Sequence, residues 1–112
     1  MHEKKRKPYL GRWRIVEMET WDQEYVDLVT EGNFTFGKDG MGNFEFGAIK
    51  AETDYSIEEF GNTERAEFSF EGYDEYVPVT GRGWVIIEND TLKGKIYFHA
   101  GDDSEFRAKK IK

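Results

Sequence analysis

The chain has no cysteine and only two prolines in 112 residues. Without thiols there is no disulfide framework, no thiolate nucleophile and no Cys-based metal site, and the composition fits a cytoplasmic protein. No apolar run approaches the roughly 20 residues of a membrane helix. The N-terminus has no apolar signal-peptide core. Basic residues are scarce where they would matter for nucleic acid. Residues 15–79 hold three of them, Lys38, Lys50 and Arg65, against seventeen acidic ones. A nucleic-acid face needs cations to displace counterions, so neither nucleic acid nor membrane is an expected partner. The basic cluster Lys4–Lys7 reads as a solvated terminus. Residues 1–8 are then a disordered basic tail, and 9–112 a single domain.

Aromatic rings are abundant: nine Phe, six Tyr and three Trp. Large rings let a short chain fill a core with few side chains. Most of them alternate with polar residues, the mark of strands buried on one face. Phe34 and Phe36, then Phe44, Phe46 and Ala48, flank the turn residues 37–40 and predict a hairpin. Further strands are expected over 10–18, 52–58, 66–71, 83–88, 92–99 and 104–111. Residues 72–81, with Pro78 inside, read as the longest loop. Thr20 as N-cap, Gln23 three residues on, and Trp21, Tyr25, Leu28 and Val29 at helical spacing predict one short helix, closed by Gly32. Asp22, Glu24 and Asp27 then form its solvated face.

Eight short strands joined mostly by tight turns imply an all-β, eight-stranded antiparallel up-and-down barrel, with the helix between its first two strands. The inward face should carry Phe34, Phe36, Phe44, Phe46, Phe68, Phe70, Phe98 and Phe106, with Ile15, Val85, Ile87 and Ile96. Eight rings should fill so small a barrel, leaving at most a shallow pocket under the helix.

Gly11-Arg12-Trp13 opens the first strand. In a closed barrel this strand meets the last, which offers Arg107, Lys109 and Lys110. A cation such as Arg107 over the Trp13 ring, with Gly11 leaving room for the ring, would close one end. This pattern resembles that of the calycins, the superfamily of lipocalins, fatty-acid-binding proteins and avidins. The resemblance implies a barrel closed by Trp at one end and open to ligand at the other, with the helix as a lid. Through the stretches GRW, WDQ, GRGW and HAGDDS the whole chain also resembles a group of small bacterial proteins, a likeness that implies no activity.

Strand direction assigns the helix, the turn after Ala48, the loop 72–81 and the turn 100–103 to one end, called the upper end here. Function concentrates on such longer connections. Trp21, Tyr25, Arg82, Trp84, His99 and Asp102 are the candidate ligand-binding residues there. Arg82 could bind a carboxylate or phosphate, or pair with Asp74, Asp102 or Asp103. The run from His99 to Ser104 contains His, Asp and Ser, but a tight turn gives local capping bonds rather than a triad. No ligand spacing marks a metal site, and 37–42 lacks the Lys-Ser/Thr pair of a phosphate loop. No cofactor is implied. Two function classes stay open: a non-enzymatic module binding a small apolar or anionic ligand or a protein, and a small enzyme using His99 with Asp102 or Asp74 as an acid–base pair. The strand at 83–88 is apolar on both faces, so Trp84 or Ile86 is expected in a contact surface, such as a homodimer.

Overall fold

A computed structural model describes residues 5–111. Eight strands follow one another around a closed barrel in chain order, every neighbouring pair antiparallel, and the first pairs with the last. They are β1 (Gly11–Met18), β2 (Asn33–Phe36), β3 (Met41–Phe46), β4 (Ile49–Phe60), β5 (Thr63–Asp74), β6 (Val77–Glu88), β7 (Thr91–Phe98) and β8 (Asp103–Lys110). One helix, α1 (Gln23–Val26), lies between β1 and β2. The expected up-and-down barrel is therefore the observed one.

Two-residue turns make several of the corners. Asn89 and Asp90 join β6 to β7, both with positive φ, as the twist of a tight hairpin requires. The segment 72–81 is not a loop. β5 and β6 pair down to Asp74 and Val77, and only Glu75 and Tyr76 turn the chain. Pro78 is tolerated because β6 at this point is paired with β5 alone; its pairing with β7 begins at Gly81. A residue without an N–H costs nothing at an edge.

The helix is also shorter than expected, a single turn. Asp22, not Thr20, caps it, accepting from the Tyr25 N–H at 2.9 Å. Thr20 is held elsewhere: its N–H donates to Ser104 Oγ and its hydroxyl to the Asp103 carbonyl. Asp27 is not merely solvated. Arg14 of β1 donates to both its oxygens at 2.8 and 2.9 Å, and the Gly32 N–H adds a third bond. The hydrogen bonds from Arg14 lead in holding the Asp27 carboxyl down, at about 2.

Phe34, Phe36, Phe44, Phe46, Phe68, Phe70 and Phe106 are buried inside, with Ile15, Val85 and Ile96; Phe98 and Ile87 pack partly buried against them. The rings fit because small residues face them. Phe68 stands opposite Gly83, Phe70 opposite Gly81 and Phe106 opposite Gly94. A Cβ at Gly81 would come within 2.6 Å of the Phe70 ring, and one at Gly94 within 2.9 Å of Phe106. Large and small residues alternate around the wall, as a narrow barrel needs.

Both ends are shut. At the lower end the Trp13 indole N–H donates to the Tyr9 carbonyl at 2.8 Å, and the Tyr9 ring lies 5.9 Å from Phe36. Burial, with the charge of Glu64, pushes the Tyr9 hydroxyl up to about 12. Of the basic tail set at 1–8, Lys5 to Pro8 are described. Lys5 pairs with Glu59 at 3.3 Å, while Arg6 donates to the Lys38 carbonyl and lies over Tyr55. Residues 1–4 lie outside the described residues.

The cation over Trp13 is Lys110, 4.9 Å from the ring. Arg107, proposed for that place, sits instead beside Glu17 at 3.6 Å. The reason is alternation: Trp13 stands directly opposite Lys110, whereas Arg107 is opposite Glu17. Gly11 makes room for the lysine rather than for the indole, since a Cβ there would lie 2.9 Å from Lys110 Nζ.

Candidate functional site

At the upper end, where the resemblance implied an open mouth, Trp21 forms a stopper. Its ring lies 5.0 Å from Phe46, 6.1 Å from Phe98 and 6.3 Å from Tyr25. Tyr25 rests on Gly47, which has positive φ and no Cβ to obstruct the ring. The Gly47 N–H donates to the Val26 carbonyl at 2.9 Å, tying the β3–β4 turn to α1. Trp21 and Tyr25 thus extend the core upward, and their rings occupy the space a ligand would enter.

Concavities among the described residues lie on the outside of the barrel. Outward positions fall into rows set by the strand register. One row runs Ser69, Arg82, Tyr97, Asp103 across β5 to β8. The row above it carries Glu71 and Thr80, and the His99 N–H extends the ladder by donating to the Thr80 carbonyl at 2.8 Å. The row below carries Glu67, Trp84, Lys95 and Glu105. Ser69, Thr80, Arg82, Tyr97, His99 and Asp103 line a groove of about 530 Å3. Trp84 and Ile86 belong to a second groove, about 480 Å3, whose rim is Glu17, Glu19, Lys93, Glu105 and Arg107.

The six candidate residues are therefore distributed over four places. Trp21 and Tyr25 plug the upper end. Arg82 and His99 share the outer groove. Trp84 lines the adjoining one, under the guanidinium of Arg65, which lies 5.3 Å from its ring and 4.5 Å from Phe60. Asp102 is exposed in the β7–β8 turn, where its carbonyl accepts from the Phe98 N–H at 3.0 Å. His99 has no side-chain hydrogen bond or ion pair to Asp102 or Asp74 among the described residues. Asp74 stands at the β5–β6 corner, opposite Ile49 and Val77.

Arg82 differs from most of the other arginines. Arg14, Arg65 and Arg107 lie on carboxylates, and Arg6 gives its bond to main chain. Arg82 forms no ion pair among the described residues, with Asp74, Asp102 and Asp103 included. Its guanidinium lies 4.3 Å over the Tyr97 ring, and Lys95 approaches the same ring at 5.1 Å. A flat cation on an aromatic face keeps its N–H donors free at its edge, and Arg82 lines the groove.

Sequence reasoning missed Ser69, Thr80 and Tyr97. Strand alternation marks Ser69 and Tyr97 as outward, whereas Thr80 fell in the segment read as a loop; only the register across three strands brings them to Arg82. Compared with known proteins, the chain matches no family model, no curated protein and no solved structure.

Proposed function

We propose that the protein is a non-enzymatic binding module that recognises its ligand or partner with the outer wall of the barrel, not with the interior. The filled interior carries this reading. Phe34 alone has four ring neighbours between 4.8 and 5.8 Å. Tyr9 and Trp13 close one end, Trp21 and Tyr25 the other. The barrel has the strand number and order of a calycin, and that resemblance supports the binding class while the packed rings move the site outside. Trp84 and Ile86 also face outward, as a dimer or partner surface at β6 would require. No observation favours the enzymatic alternative built on His99.

A fragment screen read by backbone and aromatic NMR shifts tests the proposal. Hits should move outward rows of β5 to β8. Saturable hits that move Phe34, Phe44 and Ile96 would place the ligand inside and overturn it.

A further inference from the structure

Resting on that outer-wall reading, the geometry points to the groove of Arg82 as a binding site for an oxyanion, the carboxylate or phosphate group of a small ligand. Four observations meet there. Among the described residues Arg82 is a cation without a carboxylate partner, in a chain with 23 acidic residues against 16 basic ones. Chance pairing favours its neutralisation, yet it lies on Tyr97 instead. That stacking holds the guanidinium plane in one orientation, so less freedom is lost when its fork meets two oxygens. Ser69 stands directly opposite Arg82, and Thr80 lies two residues before it on the same face. Both hydroxyls lack a side-chain hydrogen bond among the described residues, so both are available as donors. His99 also lines the groove, and the Lys95 ammonium lies 5.1 Å from the Tyr97 ring. The groove, about 530 Å3, is large enough for an oxyanion with an attached small organic group.

Asp103 sits across from Tyr97 on the rim. Its charge opposes a second negative charge nearby, which favours singly charged oxyanions over multiply charged ones. Arg12 provides the internal control. Among the described residues it too forms no ion pair and lies over no ring, and it lines neither of these two grooves.

The experiment is an amide-detected NMR titration of the intact chain with inorganic phosphate, and separately with benzoate, at constant ionic strength. Saturable shifts at Ser69, Thr80 to Arg82 and Tyr97 to His99 are expected. Arg82→Gln should weaken the binding at least tenfold, and Arg12→Gln should leave it unchanged. A response to phosphate alone or to benzoate alone identifies which oxyanion the groove takes. Equal weakening by both substitutions would mean diffuse charge attraction and overturn the site. The absence of saturation at tens of millimolar would overturn it as well, while the fragment screen still decides the outer-wall reading. Shifts at Trp84 and Ile86 instead would move the site along the same wall and leave that reading standing.

Discussion

Lys110 can lie over the Trp13 ring because residue 11 has no side chain: a Cβ at Gly11 would stand 2.9 Å from the Lys110 ammonium. The lysine also donates to the Leu10 carbonyl, and burial pushes its ammonium down from the usual lysine range. Gly11 itself has φ +104°. Gly11→Ala should therefore both strain the backbone and dislodge Lys110, with a loss of about 1–3 kcal/mol. Lys110→Met should cost less, about 0.5–2 kcal/mol, the range of a cation–ring contact. Urea midpoints, with Trp fluorescence as probe, separate the two. Equal losses would mean that the backbone conformation contributes nothing.

The glycines facing the rings should tolerate no side chain. Gly94→Ala brings a methyl within 2.6 Å of Val85 and 2.9 Å of Phe106. Overpacking of this kind costs about 1–3 kcal/mol. Gly61, in the β4–β5 turn with nothing within 4 Å, offers the contrast: its φ of +62° leaves only backbone strain. The aromatic ring-current shifts of Phe106 should change in Gly94→Ala and stay fixed in Gly61→Ala.

Acid should loosen the clasp between α1 and β1. Asp27 is held at about 2 in the folded protein against 3.8 for the free carboxyl. A folded value below the unfolded one gives stability that is complete above about pH 4 and is lost as pH falls toward 2. The stability of wild type should decline through that window. Asp27→Asn should show a flatter profile there and a lower stability at pH 7. Urea unfolding at stepwise pH between 2 and 7 checks this; identical slopes would remove Asp27 from the clasp.

Removing the stopper should open the barrel. Trp21→Ala deletes the ring lying on Phe46, Phe98 and Tyr25. A loss of about 3 kcal/mol is expected, the lower end for Trp→Ala because Trp21 is only half-buried. The vacated space should take up a fluorescent apolar probe that the wild type excludes. Equal probe binding by both proteins would show an interior already accessible.

Much of this architecture was legible in the alternation of Phe34, Phe36, Phe44, Phe46, Phe68 and Phe70, because a period of two depends on nearest neighbours alone. What escaped depended on distant partners. The β5–β6 corner is made by Glu75 and Tyr76, with Glu75 at φ 55°, so no Asn-Gly or Asp-Gly marked it. Thr20 has the side chain of a helix cap but is engaged by Ser104 and Asp103, more than eighty residues away. Arg82 stood out in the sequence. Its companions Ser69 and Tyr97 are ordinary strand residues until the register sets them side by side.

The seam between β1 and β8 sets an order on the making of this molecule. Trp13 pairs with Lys110, and Met18 with Phe106. During synthesis β1 emerges early, yet the strand that completes its pairing is the eighth. Until residues 103–110 are available, β1 and β7 each present an unpaired edge able to join another chain. Closure then needs contacts spanning almost the whole chain, the kind that slow folding. A nascent chain stalled before Asp103 is thus an open seven-stranded sheet, and crowding of such chains is the stage at which aggregation competes most strongly with closure.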